Sequence, residues 1–535
     1  MAPSTLTSLP MELICMVASH LSTSEYGSLR LTCKHVESQL FADFTKEFFT
    51  KRQFMLTHFS LKTLVDISKH PTFKKRLTHV ILGMELFAAQ PGDSTQREKL
   101  DRYRDGYNDQ VFLLNTGMDR ELLTEAFKNL ENLQAVGLRD YSAAGRKRDG
   151  TGWHSYGLTT IRTETGFYLD TRCRTDNGAS FYPRYLQILL YALGKANSSP
   201  RAIEAIFRTV HSYNMGPDLH IPDFVEPIIQ PVLQQLQSLD LKVNLREDVG
   251  QNTYHQTYQP HACYGLNLRK FLGRLSNLTH LRLNFRPYQA AETDSFLQWF
   301  SRMPDQNTTD TGAATTTATV SYLPPPILLP HLRKLDLGSL DVEWHALCAV
   351  VEKYASSLEG LSLWRVQLVP LGGNLTGPRP MHWRFFFWSL AQIPRLQLKE
   401  LMVGMVKQCV AEPNRSLASI HVGFKPPALQ PTDYPNSMRN DDDDNDKEVP
   451  TEEEWSKCDP RVEYKNINSL QGVLEELASR LVVNWPKERP SVPIHVDSNS
   501  DEDEDEDGSQ DDEEGDEDFD VDEDSEIDVA AMLMV

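Results

Sequence analysis

The sequence predicts an α/β chain in three parts: a small three-helix unit at the N-terminus, a long body of stacked strand-and-helix units, and a disordered acidic tail. Three observations carry the prediction. Residues 6–41 crowd apolar side chains at helical spacing around a polar turn. Five later segments take the form L-x-x-L-x-x-L-x-L or close to it. Asp497–Asp528 holds 21 acidic residues and no basic one. The expected organisation is residues 1–55 for the helical unit and 56–424 for the body, with a disordered insertion at 305–326. An acidic loop at 425–460, a helix within 461–496 packing back on the body, and the tail at 497–535 complete it.

Pro10 suits a first helical turn, where its missing N–H removes no bond, and Glu12 sits near the positive end of the helix dipole. Leu13, Ile14, Val17 and Leu21 then form an apolar stripe. Ser22–Glu25, "STSE", has capping-box spacing and should start a second helix with Tyr26, Leu29 and Leu31. A third helix is expected from about Lys34, with Val36, Leu40, Phe41, Phe44 and Phe48 on its apolar side. A unit this short buries too little surface to satisfy all these side chains alone, so part of the stripe is expected either to dock another protein or to pack on the body of the same chain, which periodicity alone does not distinguish.

The stretch "LTSLPMELICMVASHL...YGSLRLTCKHVESQL" resembles an F-box, with Leu6, Leu9, Pro10, Glu12, Leu13, Ile14, Val17, Leu21, Leu29, Cys33 and Lys34 on matching positions. At the family's aromatic position this chain has His35 followed by Val36. The resemblance implies that Leu9, Pro10, Ile14, Val17, Leu21 and Leu29 contact a small Skp-type adaptor, which joins the chain to a cullin and a RING subunit. Phe59–Leu82 is similar to the linker that leads from the box into a leucine-rich region in many fungal F-box proteins.

In the body, the repeated form ends at Leu138, Leu241, Leu283, Leu337 and Leu363, with shorter echoes ending at Leu82 and Val403. The L-x-L alternation reads as a short strand with two side chains turned inward, fed by the L-x-x-L turn before it. Helical stretches lie between, such as "WHALCAVVEKYASSL", with Leu347, Val350, Val351 and Tyr354 on one side. One strand plus one helix cannot bury its own apolar face, so the units must stack. The pattern resembles an irregular leucine-rich-repeat-like solenoid whose family Asn occurs here only as Asn244. Residues flanking the inward leucines then line an exposed sheet suited to a protein substrate: His280, Arg282 and Asn284, Lys334 and Asp336, Ser362 and Trp364, Glu400 and Met402. Trp364 with Arg365 is the anchor candidate, since Trp and Arg are enriched among interface hot spots; the alternative for Trp364 is a packing role. "WRFFFWSL", Trp383–Leu390, is expected to be core. So is the apolar side of a helix with Leu470, Val473, Leu474, Leu477, Leu481 and Val482, capped by Ser469.

Charge and composition exclude several classes. The net charge of -21 equals the tail's 21 acids, leaving the rest of the chain balanced. Without a basic excess, nucleic acid is not expected as a ligand. The seven cysteines are scattered and never in a CxxC pair, which points to reduced thiols in the cytoplasm or nucleus. No apolar run reaches the roughly 18 residues that would span a membrane. "GGNLTG", Gly372–Gly377, has P-loop glycines but Pro378 in place of the lysine, and reads as a turn. No metal-ligand or nucleophile motif is found, so no cofactor, metal or catalytic residue is expected. Ser498, Ser500, Ser509 and Ser525 precede acids at kinase-favoured spacing, and Pro493–Asp505 is similar to short strand-adding motifs bound by SUMO-type proteins. The function expected is a non-catalytic substrate receptor of an SCF-type ubiquitin ligase. The alternatives are a scaffold whose tail binds basic proteins, and a hydrolase without a recognisable motif.

Overall fold

The structure is a computed structural model describing residues 6–89, 96–141, 154–169, 182–208, 219–245, 264–287, 289–304, 324–370, 380–411, 417–426 and 452–485. Residues 305–323 of the insertion expected at 305–326, residues 371–379, residues 427–451 of the acidic loop expected at 425–460 and the whole tail lie outside these residues, while the end of that expected loop contains a short helix at Glu452–Ser456. A 3-10 turn (Leu6–Ser8) leads into α1 (Met11–Ala18), α2 (Thr23–Leu31) and α3 (Lys34–Phe49). The next elements are β1 (Lys51–Met55), α4 (His58–Lys69), α5 (Phe73–Arg76), β2 (His79–Gly83), α6 (Arg97–Thr116), α7 (Met118–Asn129) and β3 (Ala135–Arg139). The middle holds α8 (Leu158–Thr165), α9 (Tyr182–Ala196), β4 (Ala202–Ile206), α10 (Glu226–Gln235), β5 (Ser238–Val243), α11 (Leu266–Leu272), β6 (His280–Phe285) and α12 (Ala290–Ser301). Beyond these come β7 (Lys334–Gly338), β8 (Asp341–Val342), α13 (Trp344–Tyr354), β9 (Gly360–Trp364), β10 (Gln367–Leu368), α14 (His382–Gln392), β11 (Glu400–Gly404) and β12 (Lys407–Ala411). The last are β13 (Leu417–Phe424), α15 (Glu452–Ser456), β14 (Arg461–Lys465), α16 (Leu470–Arg480) and β15 (Leu481–Val483).

Among the described residues the main sheet has ten strands. β1 to β7, β9 and β11 lie side by side in chain order, each pair parallel, and β14 closes the row antiparallel to β11. Parallel neighbours need a crossover connection, and the intervening helices supply it. The register is set by a repeated hydrogen bond in which two consecutive N–H groups converge on one carbonyl of the unit before. Thr78 and His79 donate to Thr50 O, Gln134 and Ala135 to Thr78 O, Arg201 and Ala202 to Gln134 O, and Gln237 and Ser238 to Arg201 O. The chain of bonds continues from Thr279 and His280 to Gln237 O, Arg333 and Lys334 to Thr279 O, Glu359 and Gly360 to Arg333 O, and Lys399 and Glu400 to Glu359 O. Two positions ahead of the strand, Leu77, Leu236, Leu278, Leu332, Leu358 and Leu398 are each at most 2% exposed. The L-x-L pairs, such as Leu281 and Leu283 or Leu335 and Leu337, then point into the core while their neighbours stay half-buried.

A second sheet follows from a repeated turn. Ser339, Arg365 and Met405, each directly after a main-sheet strand, take left-handed φ of 52°, 52° and 51°. Their N–H groups donate to Trp364 O, Gly404 O and Pro460 O at 2.9, 2.9 and 2.7 Å, which fixes a conformation that residues with a Cβ otherwise avoid. The redirected chain forms β8, β10 and β12 in parallel, extended antiparallel by β13 and β15.

The helices cover the leucine face: α7 packs on α4 and α9, α9 on α10, and α13 between α12 and α14. Lys353 on α13 donates to the carbonyls of Phe300, Arg302 and Ile327 at 2.7, 2.7 and 2.5 Å, tying the end of α12 to the chain beyond the insertion. The N-terminal helices join the body without a break. Phe73 of α5 stacks on Phe49 of α3, with ring centroids 4.0 Å apart, and on His70 at 3.9 Å.

Several expectations are refined. Lys51–Met55, placed with the helical unit, is the first strand of the main sheet. β1, β4 and β14 were not expected; β4 fills the long gap between the strands at Leu138 and Leu241. Ser469 does cap α16, accepting from Gly472 N at 3.3 Å, and α16 packs on α14. The apolar run continues past the helix as β15, however, because Leu481–Val483 pairs with β13. In "WRFFFWSL", Trp383, Phe386, Phe387 and Leu390 are core, but Phe385 and Trp388 are each 45% exposed.

The alternation predicts opposite outcomes for adjacent residues of β7. Leu335→Ala should lower unfolding free energy by about 2–5 kcal/mol, and Lys334→Ala by less than about 0.5 kcal/mol, in chemical denaturation. Equal effects would contradict the register.

Candidate functional site

The first site is the outer surface of α1 and α2. α2 starts at the expected capping box: Ser22 Oγ accepts from Glu25 N at 3.3 Å, and Ser22 N donates to the Glu25 carboxylate at 2.9 Å. That donation holds the Glu25 carboxyl below its usual range. Inside, Tyr26 stacks on Phe48 at 6.0 Å and donates to Leu40 O, while the Arg30 guanidinium lies 3.3 Å above the Phe44 ring centre. Aromatic side chains dominate the interior of this small unit, where their large area compensates for its size.

The six residues expected to contact an adaptor divide three ways. Val17 is 46% exposed and Pro10 is exposed. Leu9, Leu21 and Leu29 are half-buried, each with one side packed on the core. Ile14 is fully buried among the chain's own residues and presents no surface. The surface instead displays Met11, Leu13, Met16 and Leu31, at 49%, 42%, 61% and 65% exposure. Leu13, Met16 and Val17 make a second helical stripe at i, i+3 and i+4, so the spacing was present in the sequence; Ile14 and Ala18 took the inner position.

The second site is the polar face of the main sheet. Register places Ser238, His280, Lys334, Gly360, Glu400 and Lys465 in one row across six strands. Asp240, Arg282, Asp336, Ser362, Met402 and Glu463 form the next row, and Lys242 to Asn284, Asn284 to Gly338, Gly338 to Trp364, Trp364 to Gly404 and Gly404 to Arg461 the third. The structure thus brings nine of the ten expected substrate-facing residues onto one surface. Arg365 stands apart as the left-handed turn residue, and Met402, at 5% exposure, offers little area. Ser238, Asp240 and Lys242 occupy the same offsets in "SLDLKV" as His280, Arg282 and Asn284 in "HLRLNF", so a uniform reading of the repeat would have included them.

Cross-strand pairs organise the face. His280 Nε2 lies 2.8 Å from Asp336 Oδ2 and its Nδ1 3.2 Å from Ser238 Oγ; Arg282 pairs with Asp240 at 3.4 Å and Lys334 with Glu400 at 3.9 Å. Burial pushes the Asp336 carboxyl up, but the hydrogen bond and charge of His280, with Lys334, outweigh it and hold the group below its usual range. Ser238, His280 and Asp336 have the links of a hydrolytic triad, yet the backbone N–H groups of Ser238 and His280 are committed to Arg201 O and Gln237 O. Those two donors are not free for an oxyanion, and the hydrogen-bonded line links three strands. The Trp364 ring lies across Gly404, where a Cβ would come within 2.4 Å of it.

Among the described residues no group of three or more His, Cys, Asp and Glu side chains could hold a metal ion, and no helix is long and apolar enough to cross a membrane. Cys15, Cys33, Cys348, Cys409 and Cys458 are free thiols. Comparison with curated proteins gave no match to the chain. Residues 6–39, the segment that folds as α1, α2 and the start of α3, match the F-box domain.

Proposed function

We propose that the chain is the substrate-receptor subunit of an SCF-type ubiquitin ligase, with the F-box face docking a Skp-type adaptor and, through it, a cullin. The carrying observation is an apolar surface of Met11, Leu13, Met16, Val17 and Leu31 left exposed on a segment that matches the F-box. Fully burying one such side chain contributes about 1.5–3 kcal/mol, so a partner covering five gains a substantial driving force. Pro10, Val17 and the outer sides of Leu9, Leu21 and Leu29 contribute to the same contact. Ile14 supports it from within.

The body is a leucine-rich-repeat-like solenoid that presents the target. Its support is the row of chain-order parallel strands with repeated strand-start bonds, and the likeness of Phe59–Leu82 to linkers in fungal F-box proteins fits it. His280, Arg282, Asn284, Lys334, Asp336, Ser362, Trp364 and Glu400 form the target-facing surface, with Trp364 as anchor and Arg365 beside it at the strand exit. The chain performs no covalent step. It holds a target lysine near a charged ubiquitin carrier, which raises the effective concentration of the two. The place of action is the cytoplasm, the nucleus or both.

Two outcomes are expected. Val17→Asp with Leu31→Asp replaces exposed side chains, so the variant should keep its circular dichroism and melting temperature while co-purification of adaptor and cullin falls at least tenfold; retention of both partners would refute the reading. Trp364→Ala with Arg282→Glu should leave adaptor binding intact but remove a subset of neighbours in proximity labelling under proteasome inhibition. An unchanged set of neighbours would exclude the polar face as the target surface.

A further inference from the structure

A buried carboxyl at the β1 end of the polar face, beyond the three rows described above, joins three separate chain segments. Glu85, just beyond β2, is 4% exposed. Ser155, ahead of α8, lies with its Oγ 2.7 and 2.8 Å from the two carboxyl oxygens, and Gln53 Nε2 of β1 donates to Ser155 Oγ at 2.8 Å. Gly83 makes the room: a Cβ there would lie 2.1 Å from Glu85 Oε2 and 2.2 Å from Ser155 Oγ. Gln53 Oε1 is buried without a hydrogen-bond partner.

The cluster sits on the polar face. Gln53 continues the row through Ile81, Gly137 and Glu204 to Asp240 and Arg282. The segment 154–169 therefore straps across that face at its β1 end. Tyr156 N donates to Gln53 O at 2.9 Å, and Leu158, Ile161, Phe167 and Leu169 pack with Met55, Phe87 and Tyr103. Apolar contact thus attaches the far part of the strap, and its near end is held by the Glu85 cluster together with Tyr156, which is 3% exposed and stacks on Phe59 at 5.4 Å.

We propose that Glu85, Ser155 and Gln53 form a proton-dependent clasp that holds the strap 154–169 on the first two strands, and that loss of the proton loosens the strap and extends the open polar face toward β1. A carboxylate in this position is a charge removed from water, and such groups favour the neutral form. The charged groups on the surrounding elements do not reverse this. Asp140 adds like charge, Arg139 is engaged with Glu204 at 3.8 Å, and Arg52 donates to Phe48 O and lies over the Tyr156 ring. Burial is the largest influence on Glu85 and, against the hydrogen bonds from Ser155 and Gln53, raises its pKa to about 7. The folded chain thus keeps a proton that the unfolded chain gives up at lower pH. Attachment weakens as pH rises from the ordinary carboxylate range through about 7.

Hydrogen exchange of the full chain at pH 6 and pH 8, corrected for intrinsic rates, tests the clasp. Protection of amides in 154–169 should fall roughly tenfold between the two while that of β6 to β9 stays constant, and Glu85→Gln should abolish the difference. Equal protection of the wild-type strap at both pH values, or the same fall in the variant, overturns the proposal. If circular dichroism shows Glu85→Gln unfolded, the wild-type profile decides: a fall confined to the strap sustains the clasp, and a fall spread evenly over the sheet overturns it.

Discussion

One carbonyl accepting two successive N–H groups, repeated from Thr50 to Glu359, is the constraint on which the main sheet depends. A carbonyl oxygen has two lone pairs, so both donors are satisfied where the chain turns into the strand. The bond pins the first residue of each strand against its predecessor, and a leucine two positions earlier is locked in the core in six of the units. A slip of one residue would turn every inward leucine to solvent. The polar face is the necessary complement: once alternate positions are committed to the core, residues such as Arg282, Asp336 and Ser362 align across strands without further instruction.

The placement of the F-box follows from the same continuity. α3 runs directly into β1, and Phe49, Phe73 and His70 form a stack that fastens the helices to the first units of the body. The small unit is thereby relieved of having to be stable alone. Its inner stripe is spent on Ile14, Ala18, Val36 and Leu40, leaving Met16 and Leu31 exposed. The exposed apolar face of the first helices and the polar sheet face are held in one framework, as the proposed receptor role requires.

Much of this was legible in the sequence because leucine at fixed offsets leaves a strong signal. The strands ending near Leu138, Leu241, Leu283, Leu337 and Leu363 stand where the repeat put them, and the capping box at Ser22 starts α2. β1 and β4 were not legible, because "KRQFM" and "AIEAI" contain no leucine and their pairing comes from neighbours far along the chain. Leu481–Val483 carries helical spacing but had a free sheet edge beside it in β13, and pairing prevailed over periodicity. In α1 both sides of the helix are apolar, so the single stripe read from spacing joined the inward Ile14 to the outward Leu13 and Val17; the inward place of the small Ala18 is a property of the packing with α3. Arg365 was read by residue type as an anchor, whereas its backbone role in the turn to β10 arises only where the two sheets meet.

A photoreactive residue at position 16, the most exposed apolar site on α1, tests the central idea most directly. Irradiated with purified adaptor, the full chain carrying it should form a covalent one-to-one complex, while the same probe at position 334 on the polar sheet face should form none. No cross-link from position 16, or equal cross-linking from both, would contradict the assignment of the first helices as the adaptor-docking surface.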